Sequence, residues 1–274
     1  MFHFNIFVII IIIVIIVLLL IIYKLYAIHK NVSNINDNLE KPHTIQNQSP
    51  PKSTVDLIPK IIIQTWKTST IPPKYTKLID SIKQNNPDYT YLFFTDKEID
   101  TFLKINYPEY HQTYLNLPIK IQRIDFFRYV AVYHYGGFYM DLDMNCLKSF
   151  DDLLKYNCIF PVDEFIADSL CKLPRYKTIC DKGQYFLLGQ YAFAAAPRHP
   201  FIKNIIDIIH TNIDRYVKNV IYNSDDYVYK TTGPDFVTNV YINYSDKKDI
   251  LVLNNGKRQY FGDYAKHNYF GTWK

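Results

Sequence analysis

Two carboxylates one residue apart, Asp141 and Asp143, close an aromatic run, Phe138-Tyr139-Met140, and the stretch before it carries Asp125 and Arg128. Residues two apart in a strand share a face, so the spacing predicts Asp141 and Asp143 pointing together where the strand leaves its sheet. Carboxylates held that close repel and are costly to desolvate unless a cation lies between them. An oxygen-loving divalent ion, Mn2+ or Mg2+, meets that need and commonly takes phosphate oxygens as further ligands. The chemistry such a pair could serve is Lewis-acid action of a bound ion on the phosphate oxygens it takes up. Asp-x-Asp is also frequent on solvated surfaces, and Asp125 with Arg128 equally fits a helical i,i+3 ion pair.

The elements that must position these residues are readable around them. Pro118 suits a first helical turn, where its missing N–H has no partner to lose. Ile121, Ile124, Phe127, Ala131 and Tyr135 keep helical spacing, and Gly136-Gly137 ends the helix. Upstream, Ile58 to Trp66 has the β-branched run of a buried strand, Lys74 to Asn86 reads as a helix, and Tyr89 to Phe94 as a second strand. Thr95-Asp-Lys-Glu98 is a capping box opening the next helix. This alternation predicts an α/β nucleotide-binding domain. Downstream, Cys158 to Gly183 has no usable period and reads as irregular loops of the kind that carry recognition. Phe201 to about Val220 reads as one long amphipathic helix, Pro234 as a helix start, and Asp249 to Leu253 as a strand.

The chain has 274 residues and a formal net charge of +5, which allows one well-buried domain with extensions. No Lys/Arg run or nucleic-acid module is present, so nucleic acid is not expected as a partner. Residues 1–3 form a short tail, and 4–23 are an almost unbroken apolar run of the length that spans a bilayer, read as an uncleaved anchor. Residues 24–56 are polar and aperiodic, a flexible stem, and 57–274 form the folded domain. Lys24 and Lys30 after the apolar run favour a cytosolic C-terminal side. Of the four cysteines, none has Cys-x-x-Cys spacing, which disfavours structural zinc. Three pairings are open, with Cys171–Cys180 suggested by proximity, while Cys146 reads as a buried strand residue.

The run from Arg123 through Phe138-Tyr-Met-Asp-Leu-Asp143 resembles the Asp-x-Asp block of the family 32 glycosyltransferases, which include initiation-specific mannosyltransferases and inositol-phosphoceramide mannosyltransferases. The opening Ile58-Pro-Lys-Ile-Ile-Ile-Gln-Thr-Trp66 is similar to the family's first block, with Ile63 where a His is usual. Leu147 to Leu154, Leu187 to Pro200, Thr231-Thr-Gly233-Pro and the closing His267-x3-Gly-x-Trp273 resemble further blocks in family order. The resemblance implies a GT-A type α/β/α sandwich behind a transmembrane helix, and transfer of a hexose from a UDP- or GDP-sugar to a glycan or glycolipid hydroxyl. It further implies retention of configuration and a lumenal domain at a Golgi or secretory-pathway membrane. By the same resemblance Asp143, Asp141 and His267 hold Mn2+ or Mg2+, and Arg128 supplies fixed positive charge. Trp66, Asp125, Arg128, Asp141, Gln190 and Gly233 would contact the donor, with Trp66 either stacking on a base or packed in the core. Hydrolysis of the donor by water, or non-catalytic binding of glycan or nucleotide, stand as alternatives.

Overall fold

A computed structural model describes residues 17–24, 53–254 and 260–271. The chain divides into two units, 1–42 and 43–274. In the first, residues 17–24 are helical with exposed apolar side chains. Most of the expected anchor (4–23) and stem (24–56), and Trp273 of the closing block, lie outside the described residues. Among the described residues no helix is long and apolar enough to cross a membrane.

The second unit is built on a seven-stranded mixed sheet. Strands β1 (Ile61–Trp66), β2 (Thr90–Thr95) and β3 (Gly137–Met140) run parallel in the order β2-β1-β3. The sheet continues antiparallel through β7 (Ala192–Ala195) and β5 (Cys158–Phe165) to β6 (Phe186–Leu188), and β8 (Ile250–Leu253) adds parallel to β5. A separate ladder joins β4 (Met144–Cys146) to β9 (Ala265–His267).

Helix α1 (Thr76–Asn85) links β1 to β2, and α2 (Asp96–Asn106) opens on the expected capping box, Thr95 with Glu98. After α3 (Pro108–Asn116), helix α4 (Lys120–Tyr135) leads into β3 and is buried from Asp125 through Val132. So buried a helix can keep polar side chains only if they find partners inside the protein. Gly136 caps α4 with φ +68°, and Gly137 follows at φ +86°. A Cβ on Gly137 would land on the Ile61 carbonyl, so only glycine lets β3 lie this close to β1. Ile63 is fully buried in the apolar core on the α4 side of the sheet.

Three expectations change. Residues 158–183 are not irregular throughout: they contain β5, a central strand, and the short helix α5 (Pro174–Cys180). Pro161 and a β-bulge between Val162 and Glu164 break the alternation that would have marked β5. The long helix after Pro200 is two, α6 (Pro200–Thr211) and α7 (Ile213–Lys218), because the Asn212 side chain takes up the Ile208 carbonyl. Strand β3 ends at Met140, so Asp141 and Asp143 come together across a turn rather than by strand alternation. The Cys171–Cys180 disulfide is formed, and Cys146 is a buried residue of β4.

Candidate active site

Because β1, β2 and β3 are parallel, their carboxyl ends share one edge, the place where open α/β sheets receive ligands. A cleft of about 570 Å³ opens there. Trp66 at the end of β1, Asp96 just past β2, and Asp141 just past β3 all line it.

The turn bearing the two carboxylates is held from several sides. The Asp141 amide donates to the Tyr191 carbonyl at 2.7 Å. Fully buried Gln64 donates from Nε2 to the carbonyls of Met140 and Asp141, at 3.3 and 3.2 Å, and accepts the Tyr91 hydroxyl at 2.7 Å. Tyr139 donates its hydroxyl to Asp141 Oδ1 at 2.8 Å. Asp143 is clamped by the C-terminal segment. Its carboxylate accepts the Phe270 amide at 2.9 Å, its carbonyl accepts Asn268 Nδ2 at 2.7 Å, and its Oδ1 lies 3.1 Å from His267 Nε2. The β4–β9 ladder sets that meeting, since Met144 pairs directly with His267.

One ligand atom from each of Asp141, Asp143 and His267 lies within 4.8 Å of the others. Two carboxylates with an imidazole are a donor set that Mn2+ accepts. Among the described residues His267 Nδ1 is buried and without a hydrogen-bond partner, while Nε2 is the ring nitrogen that faces the Asp143 carboxylate. The ring is otherwise fixed by stacking on Tyr191, with centroids 4.5 Å apart. The three residues therefore fit a divalent ion.

Behind the pair, Arg128 is 3% exposed. Its Nη2 lies 3.2 Å from Asp125 Oδ1 and 3.4 Å from Asp141 Oδ1, and its Nη1 donates to the carbonyl and the side-chain oxygen of Gln190. The guanidinium also covers the Tyr139 ring, 4.6 Å from its centroid. Asp125, 1% exposed, accepts the Thr232 hydroxyl at 2.8 Å. Burial pushes the Asp125 carboxyl up to about 6 against the opposing pull of Arg128. Burial likewise raises Asp141, with Arg128 opposing and the Asp143 charge adding to the rise. Burial acts to raise Asp143 too, but the bonds from His267 and the Phe270 amide outweigh it and hold that carboxyl below its ordinary range. The pair thus carries two unlike carboxyls.

Residues 72–160 match the family described as "Glycosyltransferase sugar-binding region containing DXD motif". Over 225 residues the chain is 34% identical to Mannosyl phosphorylinositol ceramide synthase CSH1 of Saccharomyces cerevisiae, covering 81% of this chain and 51% of that protein. It is 27% identical over 228 residues to Inositol phosphoceramide mannosyltransferase 1 of Schizosaccharomyces pombe, covering 80% of this chain and 64% of that one. This chain belongs to the family 32 glycosyltransferases. It spans about half the length of the first of these relatives and under two thirds of the second. Among solved structures, PaToxG Glycosyltransferase is 21% identical, over 70% of each chain, with a TM-score of 0.48.

In this family 32 chain, Trp66, Asp125, Arg128, Asp141, Asp143, Gln190 and His267 all line the one cleft. Trp66 is partly buried and packs on Tyr75, with ring centroids 5.1 Å apart. Gly233 is not among the lining residues. It caps helix α9 (Pro234–Asn243), and a Cβ there would meet Tyr229 Cα of helix α8 (Asp225–Thr231) at 2.8 Å. Ile63 is likewise absent from the lining.

Sequence reasoning missed Gln64, Tyr139, Asp163, Glu164 and Arg175. The signal for Gln64 was present: an amide inside a buried β-branched strand must have partners. Nothing local marked Arg175, whose place in the cleft depends on the disulfide-closed segment around it.

Proposed function

We propose that this chain transfers a hexose from a nucleoside-diphosphate sugar to a hydroxyl of a glycan or glycolipid, with a divalent metal and with retention at the anomeric carbon. The observation that carries this reading is the meeting of Asp141, Asp143 and His267 at the carboxyl edge of the parallel strands. The names of the two yeast relatives make mannose the first donor sugar to test and an inositol-phosphoceramide headgroup the first acceptor. The apolar run at 4–23 would hold the catalytic unit at a secretory-pathway membrane beside such an acceptor.

Asp143 and Asp141 would hold Mn2+ or Mg2+ with His267. When bound, that ion supplies Lewis-acid neutralisation of the leaving diphosphate. The protein's own part is positioning and electrostatics. Trp66 offers a ring at the end of β1 for the base to lie against. Arg128 keeps its charge, because Asp141, Tyr139 and Asp125 outweigh the effect of its burial, and that fixed charge lies beside the departing group. Asp125 and Gln190, both bonded within the same network, offer oxygens to donor hydroxyls. Gly233 contributes indirectly, since close packing of α8 on α9 brings Thr232 to Asp125.

The test is a screen of UDP- and GDP-sugars with the full chain in detergent, with and without Mn2+ and acceptor, reading product mass and anomeric configuration. Acceptor-dependent consumption of donor is expected. Equal consumption without acceptor would convert the assignment to a hydrolase, and consumption unaffected by chelator would remove the metal.

A further inference from the structure

The parallel strands furnish one wall of the cleft. Another comes from β5, α5, the last turn of α8 and the first residue of α9, which contribute Glu164, Arg175, Tyr229 and Pro234. Arg175 lies inside the segment closed by the Cys171–Cys180 disulfide. That segment packs on its own small core of Ile166, Tyr176, Ile179 and Leu187, so the side chain is presented from a braced element.

Arg175 donates from Nε and Nη2 to the Asp235 carboxylate, at 3.0 and 2.8 Å, and Asp235 is 2% exposed. Its Nη1 donates to the Tyr176 hydroxyl at 3.3 Å. A guanidinium has five N–H donors, and among the described residues these bonds use three and leave two for a ligand. The group lies over the rings of Tyr176 and Tyr229, with centroids at 5.2 and 5.0 Å. Glu164, beside it in the cleft, accepts the Tyr176 hydroxyl at 3.1 Å and has lone pairs to spare. Asp235 cancels the arginine's charge, so an anion gains little there. Neighbouring hydroxyls, which each donate and accept, gain from a fixed donor beside a fixed acceptor, and aromatic faces suit ring C–H groups.

We propose that Arg175 and Glu164, backed by Tyr229, form a subsite for the vicinal hydroxyls of a polyol ring, and so determine which acceptor this enzyme takes. The assignment rests on the transferase reading for its purpose but not for its test. A terminal hexose and an inositol headgroup offer the same vicinal diol, and two probes tell them apart.

Binding of methyl α-D-mannoside and of myo-inositol to the full chain is measured by ligand-observed NMR titration, without donor. Arg175→Lys keeps a cation for buried Asp235 but loses the planar fork, and Glu164→Gln keeps shape while removing charge. Each is expected to weaken the preferred probe by about tenfold or more, with a thermal midpoint near that of the parent. A deoxy analogue of that probe should bind the parent more weakly than the intact ring but bind Arg175→Lys about equally. Whichever probe binds identifies the source of the diol. Unchanged affinity in both variants, or no binding of either probe to the parent, overturns the subsite. Arg175-dependent binding in a chain that consumes no nucleotide sugar upholds the subsite and overturns the transferase reading alone.

Discussion

Replacing Arg128 by methionine should unfold the site from within. The guanidinium sits 3.2 Å from one Asp125 oxygen and 3.4 Å from one Asp141 oxygen. At an effective dielectric of about 20, each contact is a gross attraction of roughly 5 kcal/mol. Most of that offsets the cost of dehydrating the three groups, and removing one partner of such a buried cluster typically costs about 3–5 kcal/mol. Methionine restores much of the packing against Tyr139 but leaves Asp125, which is 1% exposed, without its cation. For a domain of this size that loss lowers the thermal midpoint by on the order of 10 °C. Urea unfolding followed by tyrosine fluorescence measures it. Adding Asp125→Asn removes the stranded charge and should recover at least about 1 kcal/mol, a coupling expected only of groups in one network. Loss below about 1 kcal/mol in the single variant, or strict additivity in the double, would refute the claim that Arg128 neutralises both carboxylates.

The other predictions bear on the metal, the backbone and pH. Asp143→Asn should abolish Mn2+-dependent turnover and weaken Mn2+ binding in an electron paramagnetic resonance titration, with little change in unfolding midpoint, because the amide oxygen still accepts the Phe270 N–H. Undiminished binding in that variant removes Asp143 as a ligand. Gly137→Ala must hold φ near +86° and force its Cβ onto the Ile61 carbonyl, which costs about 1–3 kcal/mol in backbone strain before any clash; a parent-like urea midpoint would contradict the close strand approach. Asp125 has a folded pKa raised to about 6 from 3.8, so the folded state keeps its proton where the unfolded chain has released it. The stability this contributes is present below about pH 4 and is lost as pH rises through about 6. The unfolding free energy of the parent minus that of Asp125→Asn should therefore fall by up to about 3 kcal/mol between pH 4 and 7, and a flat difference would count against a buried, proton-holding Asp125.

Much of the site was legible because its chemistry is local in the chain. The Asp-x-Asp pair, the helix carrying Asp125 and Arg128, and the glycine stop between them fall within 19 residues, counting 125 to 143. The helix follows from apolar spacing and its glycine stop and the strand from aromatic composition, although the Asp pair itself lies on the turn just past that strand. His267 is 124 positions from Asp143 in sequence, and only resemblance to relatives tied it to the pair; the physical reason is the β4–β9 ladder, two three-residue strands too short to show a period. Strand β5 was hidden by Pro161 and by the acidic pair Asp163-Glu164, polar because they face the cleft where the strand bulges. Site residues thus broke the very pattern by which their strand would have been recognised.

One chain of contacts joins the two ends of the cleft. Thr65 lies 3.3 Å from the Tyr139 hydroxyl, Tyr139 donates to Asp141, Arg128 joins Asp141 to Asp125, and Asp125 accepts Thr232 next to the start of α9. The first turn of that same helix carries Asp235, which holds Arg175. Charge drawn from Asp141 towards a metal would leave Arg128 more fully to Asp125, strengthening the bond line to Thr232 and the helix behind the polyol wall. Metal occupancy and polyol affinity would then be linked through α9, and such linkage is reciprocal. The expected outcome is tighter binding of the polyol probe in the presence of Mn2+, with the same factor gained by Mn2+ in the presence of the probe. Isothermal titration in both orders measures both factors. Equal probe affinity with and without saturating Mn2+ would mean that this chain of contacts holds the fold but transmits nothing.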